Sequence, residues 1–206
     1  MKKLVFLLVL AVSATCFGQN DEAYVDGLVT EFTMKLAERN ITNYFVAKRY
    51  CSGKIEMFQI GKEKKLCTSR GTYYMVYVVW TEDDKFHLKK MDNCGLFYTT
   101  ELSDGELYNF YAANKEPLRN EIVRNYKSAS YTGTPELRKN PQPCFRNFVF
   151  SENGQTTKQT YNLYELKEAN GDNLNYEYNS QLKIVQLDAL LDAALATSEA
   201  TMRRQI

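Results

Sequence analysis

The chain has 206 residues, with 26 lysines and arginines against 25 aspartates and glutamates, a single histidine, 15 tyrosines and 11 phenylalanines. Proteins that bind nucleic acid through its phosphates carry a marked, clustered excess of basic residues, and this chain has none. One histidine excludes zinc sites built from two or more imidazoles, and four prolines with ten glycines argue against a collagen-like or disordered chain. We therefore expect an ordered domain that binds neither nucleic acid nor a metal ion.

The N-terminus has the three parts of a secretory signal peptide. Lys2 and Lys3 are basic, residues 4–12 form an unbroken apolar run, and small residues follow up to Gly18. The run is too short to cross a bilayer, which needs about 20 helical residues, and no later run is longer. We expect cleavage after Gly18, export to the periplasm or outside the cell, and no transmembrane segment in the mature chain. The alternative is a lipoprotein anchored at Cys16.

Four cysteines remain after cleavage, at positions 51, 67, 94 and 144. An even number in an exported chain favours two disulfides, for which three pairings are possible. Among these we favour Cys51–Cys67 with Cys94–Cys144, and the alternative is that one or more cysteines are buried free thiols. No Cys-x-x-Cys motif occurs, so the sequence suggests neither a redox centre nor a zinc ribbon.

Hydrophobic periodicity predicts the first half of the mature domain. Residues 21–39 repeat apolar side chains at three- and four-residue intervals, which indicates an amphipathic helix. Residues 45–100 read as antiparallel strands, and 72–80 is apolar or aromatic almost throughout, which predicts a central strand covered on both faces. The strand at 85–91 alternates and places His87 on an exposed polar face between two lysines, a poor position for a catalytic base.

Capping and turn signals predict the second half. A capping box at 103–106 predicts a helix that runs to about residue 114, and residues 119–124 are predicted as a second short helix. Residues 126–143 carry one glycine and three prolines without any apolar period and predict a long loop. Asn153-Gly154 predicts a hairpin between strands 145–150 and 157–166. The remaining predictions are strands at 174–178 and 183–187 and a helix at 188–202.

Together these elements predict an α+β protein. We expect a single domain over residues 19–206, mainly an antiparallel sheet with an N-terminal amphipathic helix, a middle helix and a C-terminal helix.

Motifs of known chemistry are sparse. The chain has no Gly-x-Ser-x-Gly motif, which would position a nucleophilic serine. It also has no glycine-rich phosphate loop, so we expect no bound nucleotide, and we expect no other cofactor. A glycoside hydrolase needs only two carboxylates about 5 to 9 Å apart, and nothing in the sequence separates such a pair from surface acids. The acids available for this role are Glu101, Asp104, Glu165, Glu168 and Glu177.

The high aromatic content suggests a binding face. Tyrosine combines a flat apolar ring with a polar tip, which suits protein and sugar surfaces. Several tyrosines lie in or beside the 126–143 loop and the later strands, where we expect them to be exposed. The candidate binding residues are Tyr126, Tyr131, Arg138, Lys139, Tyr161 and Tyr164.

Two stretches carry a family resemblance, Tyr50-Cys51-Ser52-Gly53-Lys54-Ile55-Glu56-Met57-Phe58 and Gly133-Thr134-Pro135-Glu136-Leu137-Arg138-Lys139-Asn140-Pro141-Gln142-Pro143-Cys144. With these and its signal peptide, the chain resembles uncharacterised exported proteins of the Bacteroidetes, such as those of flavobacteria. The resemblance implies export and brings no activity with it.

The sequence favours an exported, disulfide-stapled binding or interaction module without catalysis. Its expected partner is an envelope or extracellular protein or glycan. The alternatives are a cell-envelope hydrolase that uses paired carboxylates, and a small protein inhibitor.

Overall fold

The structure, a computed structural model, describes residues 20–130, 142–168 and 171–205. The predicted signal peptide and Cys16 lie outside the described residues, as do Tyr131, Arg138 and Lys139 of the predicted loop. The strands are β1 Tyr44–Cys51, β2 Met57–Ile60, β3 Lys65–Thr68, β4 Tyr74–Glu82, β5 Lys85–Asp92, β6 Gly95–Leu96, β7 Thr100–Glu101, β8 Cys144–Glu152 and β9 Gln155–Asn162. The helices are α1 Glu22–Glu38, α2 Glu106–Ala113, α3 Lys115–Asn120, α4 Tyr176–Ser180 and α5 Lys183–Ser198. Two 3₁₀ turns span Leu163–Leu166 and Glu199–Thr201.

Seven strands form one antiparallel sheet in the order β6-β5-β4-β1-β8-β9, with β7 paired to β5. Strand β4 lies between β5 and β1, and its residues Val78 and Val79 are completely buried. The predicted central strand is therefore confirmed, and so is the α+β class with a mainly antiparallel sheet.

Each face of the sheet is covered by helices. The face that we call the helical face carries Phe45, Val79 and Phe148 and packs against α2, α3 and α5. The opposite face, called the α1 face, carries Val78 and Trp80 and packs against the apolar stripe of α1. Alternate residues of a strand point to opposite faces, so the unbroken apolar sequence of β4 serves two separate cores.

His87 and its neighbours lie on the α1 face, and the expectation of an exposed position is wrong. The His87 ring stacks on Trp80 with centroids 5.2 Å apart, and Lys89 is only 4% exposed. Helix α1 covers this strand, so the polar residues that the sequence pattern places on a solvent-exposed face are partly enclosed.

The predicted strands at 174–178 and 183–187 are wrong. Helices α4 and α5 occupy these positions, and Ile184, Leu187 and Leu191 of α5 pack into the helical-face core. Short apolar runs fit both periods, and here the three- and four-residue spacing continues into the next turns of α5. Strand β9 also ends at Asn162, where a 3₁₀ turn begins.

Helix starts differ slightly from the prediction. The amide of Glu106 donates to the Asp104 carboxylate at 3.1 Å, so Asp104 and not Ser103 satisfies the first turn of α2. The predicted second helix lies earlier, as α3. Pro117 is tolerated there because the first residues of a helix need no intrahelical N–H partner.

Two disulfides are present, as expected, but the favoured pairing is wrong. The bonds join Cys51 to Cys144 and Cys67 to Cys94. Cys51 and Cys144 occupy opposite positions where β1 pairs with β8, a pairing that closes 93 residues of chain. The sequence contains no local signal for that pairing, because Cys51 and Cys144 meet only through the register of β1 with β8.

Strands β2 and β3 form a separate two-stranded hairpin. The Cys67–Cys94 bond and the contact between the rings of Phe58 and Tyr73, 5.3 Å apart, attach it to the rest of the domain. Among the helices of the described residues, none combines the length and apolar character that a membrane span requires.

Candidate functional site

Charged residues occupy inward positions on the helical face, where strands normally bury apolar side chains. Arg49 follows Phe45 and Ala47 on the same face of β1, and Arg146 lies directly opposite Arg49 on β8. Like charges at opposite positions repel each other. This pair of strands therefore requires a nearby anion.

Helix α5 supplies that anion through Asp188. The Asp188 carboxylate accepts hydrogen bonds from Arg49 Nη2, from Arg146 Nε at 2.9 Å and from the Tyr161 hydroxyl at 3.0 Å. Asp192, one turn further along α5, accepts a second bond from Arg49. These contacts lock α5 onto β1 and β8 by a network of buried charges.

Burial and charge determine the protonation of this network. Burial disfavours the charge of Arg49, but Asp188 and Asp192 outweigh it and raise the pKa of the guanidinium. Burial, followed by the negative charge of Asp188, raises the pKa of Tyr161 well above its ordinary value. Arg49 is therefore a permanent cation, and Tyr161 is a neutral hydrogen-bond donor.

The network borders a cavity of about 290 Å³ between the sheet and the end of α5. Tyr77 and Lys90 are opposite each other on β4 and β5 and form its floor together with Arg49. Asp192 and Glu199 line it from the helix side, with apolar contributions from Leu195 and Met202.

Three charged residues at the cavity have side-chain groups without a hydrogen-bond or ion-pair partner among the described residues. Arg49 is 5% exposed, yet its Nε has no hydrogen-bond partner within the described ranges. Lys90 and Glu199 form no ion pair with any described residue. Lys90 Nζ instead lies 4.7 Å from the centre of the Phe97 ring.

The ionisation of the floor residues reflects their enclosure. Burial lowers the pKa of Lys90, and the nearby Asp92 opposes this effect. Burial also raises the pKa of Tyr77 to about 12. The Tyr77 hydroxyl contacts the sulfur of Met75 at 3.6 Å. Because a thioether sulfur is a weak acceptor, this hydroxyl can still donate a stronger hydrogen bond. The cavity thus offers two cations, two carboxylates and a phenol.

The predicted tyrosine face is only partly assembled. Tyr126 and Tyr164 lie together, with ring centroids 4.9 Å apart, and the Tyr126 hydroxyl donates to Asp172 at 2.7 Å. Hydrogen bonds from Tyr126, Ser128 and Ser130 lower the pKa of Asp172. This cluster fastens the start of the predicted loop to the turn before α4.

Tyr161 does not belong to an exposed face, and that expectation is wrong. It is 4% exposed and donates to Asp188 inside the core. An alternating strand contributes every second residue to the interior, and the position of β9 at the edge of the helical face makes Tyr161 one of these. Tyr131, Arg138 and Lys139 lie outside the described residues.

The residues around the cavity were missed by sequence reasoning. One signal was available, because Arg49 interrupts the inward apolar series that Phe45 and Ala47 begin on β1. Asp188 similarly lies on the apolar side of α5, between Leu187 and Leu191. Charges at core positions imply partners, but their identity required the fold.

Comparison with known proteins adds no assignment, because the chain matches no protein-family profile, no curated protein and no solved structure.

Proposed function

We propose that this protein is an exported binding module that takes a small zwitterionic ligand, such as a free amino acid or a short peptide, in the cavity beside α5. The observation that carries the proposal is that two cations, Arg49 and Lys90, and two carboxylates, Asp192 and Glu199, line one cavity, where Lys90 and Glu199 form no ion pair with any described residue.

The cationic side of the cavity suits a carboxylate. The Arg49 guanidinium lines the cavity, and its Nη1 carries a second N–H besides the one bonded to Asp192, which can donate to a ligand oxygen. The ammonium of Lys90 lines the same space and can donate to the same group. Both bonds would be charge-assisted and therefore stronger than neutral ones.

The opposite side suits an ammonium group. Asp192 has a side chain that is 62% exposed and Glu199 is also exposed, so both carboxylates remain hydrated and accessible in the free protein. The charges of Arg49 and Lys90 balance those of Asp192 and Glu199. A ligand with one charge of each sign matches this arrangement better than a simple anion or cation. A volume of about 290 Å³ limits the ligand to a small molecule.

Export is the second part of the proposal. Two disulfides join the sheet and its hairpin, and such bonds persist in oxidising compartments outside the cytosol. The basic, apolar and small segments of residues 1–18 give the same assignment from the sequence.

Calorimetric titration tests the ligand class. We expect heat of binding with at least one of the twenty free amino acids or with alanyl-alanine at millimolar concentration. Blocking the amine by acetylation or the carboxyl by amidation should weaken that binding about tenfold or more, since each change removes a charge-assisted bond. Absence of binding for the whole set, or equal binding of the blocked forms, contradicts the proposal.

Variants locate the site. Lys90→Met and Glu199→Gln should each weaken binding about tenfold, because each removes a charge that lines the cavity. Lys158→Met and Glu177→Gln change exposed residues of the same types outside the cavity and should leave affinity within twofold. Equal loss in both pairs would place the ligand elsewhere.

A carboxylate hydrolase is the second candidate, because Asp192 and Glu199 line one cavity. Asp192 and Glu199 are seven residues apart, which corresponds to about 10 Å along a helix axis. This distance is close to the separation of the two carboxylates in inverting glycosidases. Asp192 is already engaged by Arg49. If this candidate is correct, Glu199→Gln abolishes release of reducing sugars from cell-wall glycan; a wild type without such release excludes it.

A further inference from the structure

The hairpin of β2 and β3 turns a defined face outward. Cys67 is bonded to Cys94, and the Phe58 ring packs on Tyr73 and lies near Arg204, whose guanidinium carbon is 5.5 Å from the ring centre. Phe58 and Cys67 are opposite each other in the register, so both lie on the inner face. Strand alternation then places Met57, Gln59, Leu66 and Thr68 on the outer face.

That outer face is apolar where solvent would favour polar residues. Met57 is 65% exposed and Leu66 is 63% exposed, and the register makes them diagonal neighbours on one face. Ile55, just before β2, is 56% exposed. Single exposed apolar residues are ordinary, but three within one short hairpin form a patch of the kind that marks an interaction surface.

The same segment is basic. Residues 53–71 hold five basic side chains against two carboxylates, although the whole chain is close to neutral. Lys62, Lys64 and Lys65 are exposed around the turn and form no ion pair with any residue in the described part of the chain. Of the two carboxylates, Glu56 is paired with Lys54 at 2.8 Å. The turn therefore carries three lysines against the single carboxylate of Glu63 and presents net positive charge beside the apolar patch.

We propose that this hairpin docks the protein onto a lipid surface rich in anionic headgroups. Apolar side chains that enter the boundary between headgroups and acyl chains, together with lysines among the headgroups, are the two contributions that hold proteins at such surfaces. Protein interfaces instead select tyrosine, tryptophan and arginine and are poor in lysine. The outer face with Met57 and Leu66, together with the exposed Ile55 just before it and three lysines at the turn, matches lipid better than protein.

Vesicle co-sedimentation tests the proposal with protein purified after export, so that every variant has the same N-terminus. The probes are vesicles of phosphatidylethanolamine with phosphatidylglycerol at 3:1, and vesicles of phosphatidylcholine alone. We expect binding to the anionic vesicles at 0.1 M salt, at least fivefold less binding to the neutral ones, and a similar loss at 0.5 M salt. Equal binding to both lipids, or to neither, overturns the proposal.

Variants distinguish vesicle binding through the hairpin from non-specific hydrophobic binding. Met57→Ser with Leu66→Ser should lower binding to anionic vesicles at least fivefold, and Lys62→Glu with Lys64→Glu should abolish the preference for them. Ile122→Ser with Leu174→Ser removes residues that are 69% and 57% exposed outside the hairpin and should leave binding within twofold. The melting temperature and the absence of free thiols confirm that each variant is folded. Equal loss in the control pair overturns the assignment to this face.

Discussion

Two buried carboxylates on the helical face are held in contrasting ways. Asp92 of β5 is completely buried, and both of its oxygens are bonded to Arg204, at 2.6 and 2.7 Å. The Tyr73 hydroxyl and the amide of Cys94 complete its shell at 2.9 and 2.8 Å. This network ties the C-terminal segment to the sheet and leaves no acceptor of Asp92 without a donor.

The network around Asp188 is open at one end. Asp188 is as well bonded as Asp92, but Arg49 is shared with the exposed Asp192, and its Nε is without a partner in the described ranges. The cavity begins at that guanidinium. A closed network of charges stabilises the fold, whereas one that ends in an unsatisfied group beside a cavity retains a capacity to bind.

The disulfides beside the two networks give the largest expected effects. In the entropic model a crosslink stabilises by restricting the unfolded chain, and more so for longer loops. Removing Cys51–Cys144, which closes 93 residues, should lower the free energy of unfolding by about 5 kcal/mol, and removing Cys67–Cys94, which closes 27, by about 4 kcal/mol. Urea unfolding of the two double serine variants measures both. The reverse order would show that native contacts near Asp92 outweigh loop length.

Replacing each carboxylate compares the networks directly. Asp92→Asn should cost about 4 kcal/mol, because a buried pair that loses one partner leaves an uncompensated charge. Asp188→Asn should cost about 3 kcal/mol, because Arg146 loses its carboxylate while Asp192 still neutralises Arg49. Urea unfolding measures the difference, and the exposed Asp84→Asn should change stability by less than about 0.5 kcal/mol. Equal losses for Asp92 and Asp188 would contradict the distinction between a closed and an open network.

Replacing Tyr77, on the cavity floor, should have the smallest effect on stability at neutral pH and a specific effect on stability at alkaline pH. Its folded pKa of about 12 exceeds the ordinary value of 10, so the unfolded chain loses this proton first. The stability that the neutral Tyr77 hydroxyl contributes to the folded state is complete below pH 10 and is lost as the pH rises to 12. Tyr77→Phe should cost less than about 1 kcal/mol at pH 8, because the hydroxyl contacts only a sulfur among the described residues.

The alkaline readout is the slope of stability with pH. Between pH 8 and pH 11 the wild type should lose about 1.4 kcal/mol more than Tyr77→Phe, because at pH 11 the unfolded tyrosine is one pH unit above its pKa while the folded one is still largely neutral. Urea midpoints at pH 8 and pH 11 measure it. Parallel pH profiles for the two proteins would mean that Tyr77 is solvated and that the cavity floor is open.

Part of the candidate binding surface was predictable from the sequence. We expect Tyr126 and Tyr164 to be exposed beside the loop and the later strands; in the structure both are half-buried and their rings are in contact. Tyr161 was placed on the wrong side because the direction of an edge strand depends on which sheet face is covered. Arg49 and Asp188 are 139 residues apart, and no local pattern connects them.

The sequence by itself determined the elements whose signals are local. The apolar stripe of α1 repeats every three to four residues, β4 is apolar on both sides, and Asn153-Gly154 forms the predicted hairpin turn with positive φ at both residues. These outcomes depend on neighbours within a few residues along the chain.

Tertiary structure alone decided the disulfide pairing, the burial of Tyr161, the partial enclosure of His87, and the site. Each follows from β1 pairing with β8 or from a helix lying across the sheet, contacts between segments that are distant in sequence. Such contacts stabilise the protein through burial and hydrogen bonding, but only after the chain has closed large loops. The physical information that places Arg49 beside Asp188 is therefore absent from any short stretch of the sequence.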